Sequence, residues 1–138
     1  MARLKVLLVD DNGAVLQAMN GSLESRGFEV VPAAGVTEAL RRIVSQHFDV
    51  LVTDLHMPNA GDGFAVVTAM RHSQPKALTV VISGYPDVQE AMTAILLHPD
   101  EVLVKPFDSA QLAELIRNKL ENPTTRGPLA QMERAAVS

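Results

Sequence analysis

The chain has 138 residues, a length that suits one compact domain and leaves no room for a two-domain enzyme. Hydrophobic residues make up 47% and charged residues 20%, which excludes general disorder and fibrous repeats. Acidic residues number 16 against 12 basic, a net charge of −4 with Cys 0, so the composition speaks against nucleic acid as a direct partner, excludes disulfides, thiolate zinc sites and thiol nucleophiles, and fits a reducing, cytoplasmic compartment.

Short runs rich in Val, Ile and Leu alternate with longer segments whose apolar residues recur at helical spacing. The first run, Leu4 to Val9, is too short for a secretory signal, and no run reaches the roughly 20 residues that span a bilayer. Asp10 and Asp11 stop it, and a helix follows from about Ala14 to Arg26 that turns Val15, Met19 and Leu23 inward and ends at Gly27. A second strand, Glu29 to Val31, leads to a helix from Val36 to Gln46, with Thr37 one candidate cap and Ala39, Leu40, Ile43 and Val44 inward. The third strand, Val50 to Thr53, is followed by a helix over about Phe64 to His72, stopped by Pro75. The fourth strand, Leu78 to Ile82, precedes a helix from Pro86 and Asp87 with Val88, Met92, Ile95 and Leu96 on its buried side. The fifth, Val102 to Val104, precedes a helix from Asp108 or Ser109 through Leu112, Leu115, Ile116 and Leu120.

None of the five strands alternates polar and apolar residues, as expected where helices cover both faces of a parallel sheet. Five βα units with right-handed connections predict an open, doubly wound, five-stranded parallel sheet, a (βα)5 α/β fold with helices on both faces. The domain is expected to occupy residues 1–121. Residues 122–138 open with the breaker-rich Asn122 to Pro128 and read as a linker or C-terminal tail, either docked or the stub of a longer effector region.

Ligands of such sheets bind beyond the carboxyl ends of the strands. Those ends carry Asp10 and Asp11, then Asp54, then Ser83 and Gly84, then Lys105 and Pro106. Three carboxylates, a hydroxyl and an amine thus converge on one edge. Crowded carboxylates repel and raise their pKa values unless a cation intervenes, and an all-oxygen set favours Mg²⁺ over zinc. Taken singly, each residue has a structural explanation: Asp10 or Asp11 as a cap, Asp54 and Ser83 as turn residues, Lys105 as a solvated surface lysine. The four histidines show no metal spacing, and Met57 is expected to pack beneath its loop.

The set, in this chain order, resembles the CheY-like receiver domain of two-component response regulators. The resemblance rests on Val9-Asp10-Asp11, Asp54-Leu55-His56-Met57-Pro58, Ser83-Gly84-Tyr85 and Lys105-Pro106-Phe107, and extends from about Leu4 to Glu121. It implies a flavodoxin-like fold with strand order 2-1-3-4-5. It also implies that Asp54 is the phosphoacceptor, taking a phosphoryl group from a phosphohistidine of a sensor histidine kinase or phosphotransfer protein. Asp11 and Asp54 would bind Mg²⁺ directly, Asp10 mainly through water, and His56 through its backbone carbonyl. Lys105 would neutralise the phosphoryl oxygens and Ser83 would hydrogen-bond one of them. A cis Lys105-Pro106 bond would aim the lysine. The face formed by the fourth helix, fifth strand and fifth helix would meet a downstream effector domain or protein, with Gln89, Thr93, Glu101, Gln111 and Glu114 exposed on it. The domain would be a monomer or a phosphorylation-dependent dimer, bind no membrane, and catalyse only its own phosphorylation and dephosphorylation.

The chain departs from that pattern in several places. The loop Asn59-Ala60-Gly61-Asp62 is one residue longer than usual. Val102 stands where an aromatic switch residue is customary, with Tyr85 a candidate substitute. His98-Pro99 replaces a small Gly-Ala pair, predicting a stiffer loop. His56 and Tyr85 flank the phosphoryl position, which predicts an unusual dephosphorylation rate. Two other readings stay open: a phosphorylation-independent pseudo-receiver scaffold, favoured by Val102, and an aspartate-based phosphatase, disfavoured because the nucleophile follows the third strand and there is no room for a cap domain. An FMN-binding flavodoxin is disfavoured because Asp10-Asp11-Asn12-Gly13 would repel phosphate.

Overall fold

The computed structural model describes residues 3–59, 61–84 and 96–121. In chain order the elements are β1 (Lys5–Val9), α1 (Gly13–Ser25), β2 (Glu29–Ala33), α2 (Val36–Ser45), β3 (Val50–Asp54), α3 (Asp62–Ser73), β4 (Leu78–Ser83), β5 (Glu101–Val104) and α4 (Ser109–Glu121), the last being the fifth helix of the sequence reading. The helix read from Pro86 to Ile95 lies outside the described residues, as does the segment from Asn122 onward.

All neighbouring strands are parallel and run in the order β2-β1-β3-β4-β5. This is the doubly wound order, and it places β1 and β3 side by side in the middle. The alternation of side chains along each strand divides the core in two. Val6, Leu8, Val50, Val52, Val80 and Ile82 face α1 and α4, where Leu16, Leu23, Leu112 and Ile116 pack. Leu7, Val9, Leu51 and Val81 face α2 and α3, against Ile43, Val66, Val67 and Met70. Because both faces are covered, β1, β3 and β4 are apolar and almost wholly buried. The edge strands differ: β5 alternates half-buried and exposed residues, and β2 accommodates Pro32, which an edge strand tolerates.

Several local expectations are corrected. The cap of α1 is Asn12, a residue not singled out in the sequence, whose side chain accepts the Ala14 and Val15 N–H groups at 3.1 Å each; this removes the alternative of Asp10 or Asp11 as a cap. Val15 is exposed and Leu16 takes its place inward, one residue nearer the centre of the stripe. In α2 the cap position is Gly35 with no side-chain bond, so Thr37 does not cap, and Val44 is 81% exposed because it falls beyond the stripe centred on Ala39 and Ile43. Leu96 is exposed and its neighbour Leu97 is buried instead. The start of α4 is closed reciprocally: Asp108 Oδ1 accepts the Gln111 N–H at 2.8 Å and Gln111 Oε1 accepts the Asp108 N–H at 2.9 Å. Met57 is buried beneath its loop, as expected.

Candidate phosphoacceptor site

The site grows from the carboxyl ends of β1, β3, β4 and β5. Asp54 is the last residue of β3 and is 2% exposed. Burial of an ionised carboxylate is costly unless partners replace water, and both of its oxygens have one. Oδ1 accepts the His56 backbone N–H at 2.8 Å, and Oδ2 accepts from Lys105 Nζ at 2.8 Å. Lys105 is delivered by the end of β5, where its backbone N–H donates to the Ser83 carbonyl at 2.9 Å, and the Lys105-Pro106 bond is cis. Its side chain is 41% exposed, so one end of this pair remains wet.

Asp10 follows β1 and is buried. Its Oδ1 accepts the Asn12 N–H at 2.9 Å. Burial raises the Asp10 carboxyl above the ordinary value near 3.8, and the Asp54 and Asp11 charges add to the rise, while the Asn12 hydrogen bond and Lys105 oppose it. The sequence-level expectation of strained acidity therefore holds for Asp10. Asp11 is exposed at the rim. Ser83, buried, ends β4 next to Ile82, the register partner of Asp54, and its Oγ lies 3.3 Å from the Gly84 carbonyl oxygen.

The donor set is all oxygen, with a buried carboxyl whose ionisation is opposed by burial and by a second carboxylate, and this fits a hard divalent cation. Among the described residues no three His, Asp or Glu side chains form a ready-made metal cluster.

Two features were not read from the sequence. Gly63, at the start of α3, lies against the strand end so closely that a Cβ there would sit 2.9 Å from Leu55 Cδ2 and 3.4 Å from Leu55 Cα. A glycine is thus needed to bring α3 up to the Asp54 loop, and only the Gly-containing loop hinted at it. The second is a groove of about 590 Å³ between α1 and the β5–α4 loop, lined by Val15, Met19, Arg26 and Phe107 and reaching Asp10 and Lys105. It opens directly onto the acidic edge.

Beyond the site, Val102 and Val104 lie on one side of edge strand β5 and are exposed, together with Leu96. Of the residues expected on this face, Glu114 is exposed, and Gln111 is exposed but engaged in the α4 cap. Glu101 is half-buried and pairs with Lys119 at 3.4 Å, a correction to its expected exposure. Gln89, Thr93 and Tyr85 lie outside the described residues. His47, His56, His72 and His98 are all exposed.

The sequence profile of the response regulator receiver domain matches residues 6–117. The chain belongs to the receiver domain family of two-component response regulators, a regulatory module whose members are typically Mg²⁺-dependent. It is 35% identical over 113 residues to the transcriptional regulatory protein PrrA of Mycobacterium tuberculosis, a match covering 82% of this chain and 48% of PrrA. It is 31% identical over 116 residues to the photosynthetic apparatus regulatory protein RegA of Rhodobacter capsulatus, covering 84% and 62% of the two chains. The chain therefore spans about half the length of the curated relatives it matches. Among solved structures, a CheY-like receiver domain protein from Methanospirillum hungatei superposes with a TM-score of 0.79 at 26% identity, covering 88% of this chain and 96% of that one. A response regulator receiver protein from Pseudomonas putida gives 0.74 at 35% identity, covering 86% and 98%. Among the described residues no helix is long and apolar enough to cross a membrane.

Proposed function

We propose that Asp54 is the phosphoacceptor of a phosphorelay, charged by a phosphohistidine on a sensor histidine kinase or phosphotransfer protein. The observation that carries this reading is the buried Asp54 carboxylate held between Lys105 Nζ and the His56 N–H, beside a second buried acid. An Asp54 oxygen attacks phosphorus, a P–O bond forms, and the P–N bond to the donor imidazole breaks with its electron pair leaving on nitrogen. Lys105 is already within bonding distance of the nucleophile, so a short movement carries its charge from the carboxylate to the incoming phosphoryl oxygens. Asp10, Asp11, Asp54 and the His56 carbonyl would hold Mg²⁺, which supplies positive charge to the transferring group. The groove between α1 and the β5–α4 loop gives a donor access to Asp54 from the Lys105 side. Ser83, on the strand beside β3, takes a phosphoryl oxygen and draws the β4 end inward, which passes the signal to the side of β5 where Val102 and Val104 are exposed.

That face would receive an effector domain or protein. PrrA is a transcriptional regulatory protein, so transcription is the output we favour. We place the receiver unit at residues 1–121 and treat 122–138 as the linker or tail that follows.

The test is reaction with a small acyl phosphate in Mg²⁺. The expected result is a mass gain of one phosphoryl group, absent when the metal is chelated beforehand and absent in Asp54→Asn; an unmodified wild type would overturn the proposal. Val102, in place of an aromatic residue, favours one alternative, a scaffold that binds its partner with or without phosphate. Equal partner affinity in the presence and absence of beryllofluoride would select that reading.

A further inference from the structure

We propose that the pole of the molecule opposite Asp54 carries a docking groove for the chain's own segment Leu129–Val137. At the amino ends of the strands, Leu4, Phe48, Pro75, Ala77 and Leu120 wall a groove of about 550 Å³. It adjoins a second hollow of about 510 Å³ that reaches Ile43 and Val44, and the two share His47, Ser73 and Gln74. Val44 is 81% exposed, so the trough runs into an apolar spot on the protein surface. The floor is firm: Gln74 accepts the Phe48 N–H at 2.7 Å and donates to the Ile43 and Gln46 carbonyls at 3.0 and 2.8 Å.

Continuity of the chain selects the occupant. Helix α4 ends at Glu121, and the residue before that end, Leu120, is itself part of the wall. The linker Asn122 to Pro128 follows, and its seven residues reach about 23 Å when extended, enough to turn back over the same pole. Beyond it, Leu129, Met132 and Ala136 recur at helical spacing, with Glu133 at the flank of that stripe and Gln131 and Arg134 on the side away from it. The stripe covers about 10 Å of helix. Alone, so short a helix is marginal in water, and its apolar face needs a surface. A tether of this length holds the segment at an effective concentration in the millimolar range, so even an intrinsically weak contact is populated. A segment docked here leaves the Asp54 edge and the donor groove uncovered.

The chain has Cys 0, so Gln131→Cys gives the 138-residue chain a single thiol for a nitroxide, on the side of the segment away from the stripe. Its paramagnetic effect on the amide signals of Leu4, Phe48, Ala77 and Leu120 reads the docking. Selective loss of those signals, unchanged when labelled chain is diluted with unlabelled chain and relieved by adding Leu129→Asp and Met132→Asp, is the expected result. Absence of selective loss, its persistence in the aspartate variant, or its disappearance on dilution, which would mean contact between two copies, overturns the proposal.

Discussion

At the scale of the residue, Asp10 separates two demands. Burial and the charges of Asp54 and Asp11 hold its carboxyl above the ordinary value near 3.8. A carboxyl that is harder to ionise folded than unfolded contributes stability below its unfolded pKa and loses it as pH rises through the raised folded value. Without a cation, Asp10→Asn is therefore expected to melt a few degrees above the wild type at neutral pH, with the advantage shrinking as pH falls toward 4. Added Mg²⁺ is expected to stabilise the wild type and not the variant. A wild type that melts at or above the variant at neutral pH without Mg²⁺ would contradict this, and thermal scans across pH decide it. For Lys105, the ammonium is a point charge aimed at one Asp54 oxygen, and a longer planar guanidinium cannot occupy that place. Lys105→Arg is expected to slow phosphoryl incorporation by about a hundredfold, the usual size of effect for losing one well-placed donor, while circular dichroism is unchanged; a rate within a few-fold of wild type would remove Lys105 from the chemistry.

At the scale of the element, two backbone positions decide how close loops come to the site. Gly63→Ala places a methyl 2.9 Å from Leu55 Cδ2. The backbone of β3 ends there, so the variant is expected to lose about 1–3 kcal/mol of stability, as overpacked sites do, and to shift the Asp54 amide signal. His98 has a φ of 47°, the left-handed region that side chains enter at a cost. The Arg71 guanidinium donates to the Leu97 and His98 carbonyls and holds this turn against α3, and Asp100 secures the next step by accepting from the Thr79 N–H at 2.8 Å and its Oγ1 at 3.1 Å. These contacts tie the His98-Pro99 turn to α3 and β4. His98→Asn is expected to raise the unfolding free energy by about 0.5–1 kcal/mol, read from denaturant titration, because asparagine enters this region more easily; a lower value would mean the imidazole makes contacts that outweigh the strain.

The whole molecule shows what sequence can and cannot convey. Strand runs as apolar as Val6 to Val9 and Val50 to Thr53 announce a sheet covered on both sides, and the order of βα units then places Asp10, Asp54, Ser83 and Lys105 on one edge before any coordinate is known. What escaped were details set by rotation and proximity. Val15 and Leu16 are both aliphatic, and only the phase of α1 against β1 and β2 chooses between them. The same holds for Leu96 and Leu97. Asn12 was not singled out as the cap of α1, although asparagine caps as well as aspartate does. The need for glycine at position 63 and the groove beside Phe107 arise from elements distant in sequence, which one-dimensional patterning does not encode.

The central claim is that phosphoryl transfer ends on the Asp54 carboxylate, and reductive mapping tests it most directly. After reaction with an acyl phosphate and Mg²⁺, borohydride converts an aspartyl phosphate to homoserine, which peptide fragmentation locates to a single residue. Homoserine at position 54, absent when Mg²⁺ is chelated, is the predicted result. Phosphate retained on the neighbouring His56 imidazole, or homoserine at position 10 or 11 instead of 54, would contradict it.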